Sequence, residues 1–218
     1  MIAGVIFDLD GVLLDSEGAW DTARRELVAE RGGTWSESAT RDMLGMSSPE
    51  WSRYLAEELG VGMAPEAISE RVLGRVLAMY EDRLPLLPGA IEAVERVAGR
   101  WPLGLATSSN REAIDLVLER SGLDRLFEVS VSSEEVARGK PAPDVYSEAA
   151  RRLRVTATDC VAVEDSENGI RSAVAAGMRV VAVPNPEFPP ARDAIAAADR
   201  VLGSLAELGP DLIDQLDR

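Results

Sequence analysis

Four short stretches of this chain carry side chains able to do chemistry: Asp8-Leu9-Asp10-Gly11, Thr107-Ser108-Ser109-Asn110, Lys140-Pro141-Ala142-Pro143-Asp144 and Glu164-Asp165-Ser166. Gathered at one place, they set Asp8, Asp10, Glu164 and Asp165 among several hydroxyls and one ammonium. Crowded carboxylates repel unless something neutralises them. A hard cation with oxygen ligands does so, and Mg²⁺ suits a site of few carboxylates completed by a substrate phosphate. A carboxylate beside such a cation can attack phosphorus, and a second one two residues on can serve as acid and then as base. Backbone amides near Thr107 and Ser108 can hold phosphoryl oxygens, and Lys140 can cancel remaining charge.

Two scarcities sharpen this chemistry. The chain has no histidine, which excludes a Ser-His-Asp triad, a Cys-His pair and the usual histidine-bearing zinc sites. Lys140 is the only lysine, against 22 arginines. Taken alone, each stretch has a plainer reading. Asp8 to Gly11 could open a calcium loop, but Val12 and Ala19 stand where that loop needs acidic ligands. Thr107 to Asn110 could simply cap the next helix, which is compatible with a second role. Glu164-Asp165 could be a solvated turn. Cys160 reads as an inert small hydrophobe, and the four tryptophans mainly as packing.

The stretches meet only if the elements between them form an open parallel sheet, where ligands bind beyond the carboxyl ends of the strands. Near-continuous apolar runs at 2–7, 103–106, 128–131, 160–163 and 180–183, with a short one at 201–202, read as strands buried on both faces. Helical patterns at 88–100, 111–121, 143–153 and 166–176 alternate with them, and Gly122 and Gly177 read as C-terminal stops. The expected fold is α/β, a doubly wound parallel sheet. Residues 15–84 break the alternation. They contain amphipathic helical patterns at 17–31, 36–44, 49–59 and 65–83, too long a stretch for a loop. The expected organisation is a Rossmann-like core of residues 1–14 and 85–218, with a small all-helical cap of residues 15–84 inserted after the first strand.

Composition sets outer limits. The chain has 218 residues, 46% hydrophobic and 28% charged, enough to bury a real core. Its net charge of −15 disfavours nucleic acid and anionic membrane as partners. One cysteine allows no internal disulfide, the opening residues lack a basic leader region, and no run is long enough for a membrane helix. These features predict a cytoplasmic protein. Independently of composition, a monomer or weak dimer is the expected assembly.

In this order, the stretches resemble the haloacid dehalogenase-like (HAD) superfamily, and most nearly its β-phosphoglucomutase-like branch. The matching segments are Phe7-Asp8-Leu9-Asp10-Gly11-Val12, Asp15-Ser16-Glu17, Leu105-Ala106-Thr107-Ser108-Ser109, Gly139-Lys140-Pro141-Ala142-Pro143-Asp144 and Val163-Glu164-Asp165-Ser166-Glu167-Asn168-Gly169-Ile170. The resemblance implies that Asp8 is a nucleophile forming an aspartyl-phosphate, and that Asp10 is the acid and later the base. It implies Mg²⁺ held by Asp8, the Asp10 carbonyl and Asp165, with Glu164 in support. It implies a phosphoryl group held by Thr107, Ser108 and Lys140. The helical insert would close over the site and select the substrate.

Departures from the family pattern discriminate among its members. Asp10 sets the chain apart from the dehalogenases, and the lysine-free cap from the phosphonate-cleaving relatives. Trp20 stands where the mutases carry a cap histidine, and Ser48 where they carry a cap arginine. The expectation is therefore a phosphatase acting on a small phosphorylated metabolite, first a sugar or polyol phosphate. A phosphomutase of the β-phosphoglucomutase type, or a non-catalytic binding protein, is the alternative. Glu17, Trp20, Arg24, Gly45, Met46 and Ser47 from the cap, with Asn110 and Arg111 from the core, are the expected substrate-facing residues.

Overall fold

Strand β1 (Gly4–Phe7) is wholly buried, and its successive side chains feed two different cores. Val5 and Phe7 face one apolar cluster and Ile6 the other. That alternation requires helices on both faces of the sheet, and the computed structural model, which describes residues 1–43, 46–186 and 189–217, supplies them. The strands after β1 are β2 (Leu103–Thr107), β3 (Phe127–Ser132), β4 (Cys160–Glu164), β5 (Arg179–Ala182) and β6 (Arg200–Val201). Among the described residues they form one parallel sheet in the order β3-β2-β1-β4-β5-β6.

Helices α5 (Ala90–Ala98) and α6 (Arg111–Ser121) cover the Val5/Phe7 face; α7 (Asp144–Leu153) and α8 (Glu167–Ala175) cover the Ile6 face. Gly122 and Gly177, the expected stops, have positive φ of 70° and 80°. Two short C-terminal helices, α9 (Arg192–Ala197) and α10 (Pro210–Asp214), left no recognisable period in the sequence. Cys160, the first residue of β4, is fully buried, and burial pushes its thiol up to about 12.

Four helices separate β1 from α5: α1 (Glu17–Glu30), α2 (Ala39–Asp42), α3 (Ser48–Glu57) and α4 (Pro65–Asp82). The second is shorter than its sequence pattern suggested, four residues against nine. Trp51 and Leu55 of α3 and Ile68, Val72 and Val76 of α4 are buried, joining Ala23, Leu27 and Val28 of α1 in a shared core. The two chain crossings into and out of this insert lie side by side. Leu14 bridges Leu86 antiparallel, the Asp15 amide donates to the Pro85 carbonyl at 2.8 Å, and the Leu87 amide donates to the Leu13 carbonyl at 2.9 Å. The insert is thus tethered to the core through a narrow two-stranded neck. No helix among the described residues is long and apolar enough to cross a membrane.

Candidate active site

Strand order decides where the chemistry gathers. β1 lies between β2 and β4, and the chain changes direction across the sheet at the β1/β4 boundary, the crevice where open α/β sheets bind ligands. Phe7 pairs with Val163, and the Asp8 amide donates to the Val163 carbonyl at 3.0 Å. Asp8 and the Glu164-Asp165 pair therefore leave adjacent strands side by side. One carboxylate oxygen from each of Asp8, Glu164 and Asp165 falls within 4.8 Å of the others, and all three residues are buried.

Lys140 reaches into this group from the loop before α7. Its ammonium lies 2.9 Å from Asp8 Oδ1 and 2.6 Å from Glu164 Oε1, and 5.1 Å from the ring centre of Tyr146. Burial opposes its charge, but Asp8 and Glu164 outweigh that and raise its pKa. Asp8 is 5% exposed. Burial first, then the charges of Glu164 and Asp10, push its carboxyl up to about 7 against the pull of Lys140. Burial and the charges of Glu164 and Asp8 likewise hold Asp165 well above the usual carboxylate range.

Glu164 has a second part beside its place in this carboxylate cluster. Its Oε1 accepts from Lys140 and from the Tyr146 hydroxyl at 2.8 Å. Its Oε2 accepts from the amides of Asp165 and Ser166 at 3.0 and 3.2 Å and from the Ser166 hydroxyl at 3.1 Å. Five protein donors fix its position, and Glu164 is a counterion of Lys140. One of its oxygens also stands within 4.8 Å of ligand oxygens of Asp8 and Asp165, close enough to support a cation there. Room for the Glu164 carboxylate comes from Gly169, where an added Cβ would fall 1.8 Å from Oε1.

Asp8 and Asp165, with Glu164 beside them, fit a divalent cation. Oδ1 of Asp10 and Oδ1 of Asp165 are shut from solvent and have no hydrogen-bond partner. Buried unpartnered carboxylate oxygens are costly; a cation satisfies that of Asp165, while that of Asp10 is open to exchange a proton. Gly11 shapes the same spot. Its φ is +77°, and a Cβ there would sit 2.0 Å from Asp165 Oδ2, so only glycine lets the turn after Asp10 close against Asp165.

Asp10 is aimed by hydroxyls. Its Oδ2 accepts from Ser109 at 2.6 Å and from Thr107 at 3.3 Å, while Thr107 in turn accepts from the Ser109 amide at 3.1 Å. Oδ1 is left free. Ser109 had been given no role from sequence, though its place two residues beyond Thr107 at the strand end carried the signal. Thr107 has its hydroxyl within reach of Asp10, and Ser108 lines the cavity.

That cavity, about 100 Å³, lies between the core and the helical insert and limits the occupant to a small molecule. Asp10, Ser108, Ser109 and Asn110 line it from the core; Glu17, Trp20, Arg24, Met46 and Trp51 are among those lining it from the insert. Trp51, expected only to pack, is therefore part of the wall. Asn110 begins α6 without capping it through its side chain. It accepts from Ser48 at 3.1 Å and donates to Glu134 at 2.6 Å, joining insert to core. Two expected substrate-facing residues are not among those lining the cavity. The Ser47 amide donates to the Glu50 carboxylate at 2.7 Å at the start of α3. Arg111 pairs with Glu135 and donates to Ser130 Oγ at 2.8 Å. Gly45 lies outside the described residues.

The family profile of the haloacid dehalogenase-like hydrolases matches residues 2–177. The chain belongs to that family. Hexitol phosphatase B of Escherichia coli is 36% identical over 210 residues, covering 95% of this chain and 94% of its own. The crystal structure of CbbY from Rhodobacter sphaeroides in complex with phosphate superposes with a TM-score of 0.87 at 30% identity, covering 98% of this chain and 100% of that one. A β-phosphoglucomutase from Clostridium difficile gives a TM-score of 0.84 at 25% identity, covering 99% and 96%. Within this hydrolase family frame, the features that single-stretch reading missed are the hydroxyl of Tyr146 and the gap at Gly169. Each sits more than one helical turn along the chain from Glu164, the residue it serves.

Proposed function

We propose that this chain is a Mg²⁺-dependent phosphatase that hydrolyses a small carbohydrate-derived phosphate ester through a phosphoryl group carried on Asp8. The observation that carries the reading is the pairing of Asp8, held on one oxygen by Lys140, with Asp10, whose Oδ1 is unpartnered and two residues away. Mg²⁺ at Asp8, Asp165 and the Asp10 carbonyl would neutralise charge on the phosphoryl oxygens and permit the carboxylates to coexist in the ionised form.

The protein groups then divide the work. An Asp8 oxygen attacks phosphorus as the ester P–O bond breaks, and Asp10 delivers a proton to the departing alkoxide oxygen. Water next attacks the phosphorus on Asp8 while Asp10 takes its proton, releasing inorganic phosphate and restoring the Asp8 carboxylate and the protonated Asp10 carboxyl. Lys140 and the Thr107–Ser108 turn offset charge on the equatorial oxygens. The insert shuts the cavity against bulk water. The Escherichia coli relative's activity on hexitol phosphates supports a polyol or sugar phosphate, and the lack of a cap histidine at Trp20 favours hydrolysis over mutation. The test is release of inorganic phosphate from p-nitrophenyl phosphate and a panel of sugar and polyol phosphates in MgCl₂, stopped by EDTA. Interconversion of glucose phosphates without free phosphate would instead make the protein a mutase, and no turnover of any ester would make it a binding protein.

The raised carboxyl of Asp8 gives a pH signature. A folded-state pKa of about 7 lies above the ~3.9 of an unfolded aspartate, so the folded state holds an extra proton between those values. Without metal, the stability this proton confers is complete below about pH 4 and is lost as pH rises through about 7. A divalent cation binds the ionised site, so its stabilising effect runs the other way. The increase in Tm from millimolar MgCl₂ should be small near pH 5 and grow steadily up to about pH 8. Calorimetry across that range checks this; a pH-independent increase would place the cation elsewhere.

A further inference from the structure

Arg24 is the cavity residue that neither the phosphoryl chemistry nor the insert's packing uses fully. It projects from α1 into the cavity. Its guanidinium carbon lies 5.4 Å from the Trp20 ring centre and 4.8 Å from that of Trp51, and the two rings are 6.0 Å apart. Among the described residues no carboxylate lies within ion-pairing distance of it, and its buried Nε has no hydrogen-bond partner. Burial lowers its pKa to about 10, with Glu17 pulling the other way. Glu17, seven residues earlier on the same helix face, is no settled counterion. Burial and the charge of Asp10 push its own carboxyl up to about 7.

A guanidinium stacked on indoles is already held in one orientation, so its planar fork of donors meets a ligand at little further entropic cost. Stacking leaves the N–H edge as the bonding surface, and the fork matches a carboxylate or phosphate in bidentate fashion. The transferred phosphoryl group has its own cation, Lys140, on the core side, beside Asp8. Arg24 belongs to the opposite wall, with Trp20, Trp51 and Met46. We infer that Arg24 is a specificity-determining residue that binds a second anionic group, carboxylate or phosphate, at the far end of the substrate.

This inference rests on the phosphatase reading for the identity of the near group, but not for the anion preference itself. The probes are glucitol-6-phosphate, whose far end is a hydroxyl, gluconate-6-phosphate, whose far end is a carboxylate, and fructose-1,6-bisphosphate. kcat/KM is measured for the unaltered enzyme, for Arg24→Met, which keeps an unbranched apolar stem beside the indoles, and for Arg24→Lys, which keeps charge without the fork. The unaltered enzyme should favour at least one anionic probe over glucitol-6-phosphate by about tenfold or more, as expected for charged hydrogen bonds. Arg24→Met should lower kcat/KM for that probe by about 100-fold and for glucitol-6-phosphate by less than about threefold, with Arg24→Lys between. Which anionic probe loses more tells carboxylate from phosphate. Absence of a preference, or equal loss on all three probes, overturns the assignment. Calorimetric binding of the same probes to Asp8→Asn protein reads the preference without turnover. Arg24-dependent preference in a chain that hydrolyses none of them would keep the anion site and discard the phosphatase.

Discussion

Lys140→Met is expected to lower kcat/KM on any accepted phosphate ester by about 100- to 1,000-fold, the range for losing a preorganised charge at a reacting centre. The reason is local. Lys140 is 9% exposed and touches two carboxylates, and the chain contains no second lysine that could move into its place. Methionine fills similar space, so the effect is one of charge. Removing one partner of a buried pair costs about 3–5 kcal/mol because the other is left uncompensated. Tm should therefore fall by roughly 10 °C for a chain of this size. Lys140→Arg should not restore activity. The broader fork cannot occupy the place of a compact ammonium between Asp8 Oδ1, Glu164 Oε1 and the Tyr146 ring without displacing one of them. Paired measurements of steady-state kinetics and thermal unfolding decide this. A methionine variant keeping half its activity would remove Lys140 from the charge balance proposed above.

The carboxylates could be found from sequence because each ends an apolar run. A parallel sheet buried on both faces leaves its strand ends as the first place a polar residue is tolerated, so Asp8 after Phe7 and Glu164-Asp165 after Val163 announce the site edge. The same rule misplaced strand ends slightly. The hydrogen-bond ladder continues through Thr107, Ser132 and Glu164, polar residues that a search for apolar runs stops short of. Lys140 is a different case. It follows β3 by several residues, and its singularity and family resemblance pointed to it where the strand rule did not.

Partners set by folding were illegible for a physical reason. Nothing in the spacing of Glu164 says that Tyr146, on the helix before it, will donate to Oε1, or that the backbone ahead will donate twice to Oε2. Its acidity marks it for the cation site, and the donors add a second role as a counterion of Lys140. Arg111 follows the Thr107 to Asn110 turn and so looked substrate-facing. On the first turn of α6 its long side chain instead reaches Glu135 and Ser130 beside the sheet edge. Trp20 is expected from the sequence to face the substrate. The structure sets Arg24 and Trp51 against it, a contact between α1 and α3 that no period within either helix could show.

Asp8→Asn should abolish turnover, by at least about 10,000-fold, since no neighbouring group can take over a lost nucleophile. The fold should survive the change. Asparagine is nearly isosteric, and its amide removes one of the charges that burial opposes most strongly, so in metal-free solution the variant should unfold at a temperature equal to or above that of the unaltered chain near neutral pH. Its advantage should shrink in MgCl₂, because a carboxylate has been lost from the cluster of Asp8, Glu164 and Asp165. The combination is diagnostic. Loss of activity with loss of fold would say only that Asp8 is structural. Loss of activity with an intact, metal-insensitive fold assigns Asp8 to both the covalent step and the cation. Rapid quench with a ³²P-labelled ester completes the argument: acid-stable, hydroxylamine-labile label should appear on the unaltered chain and be absent from the variant. Label-free turnover by the unaltered chain would mean that water attacks phosphorus directly and Asp8 only positions the ester.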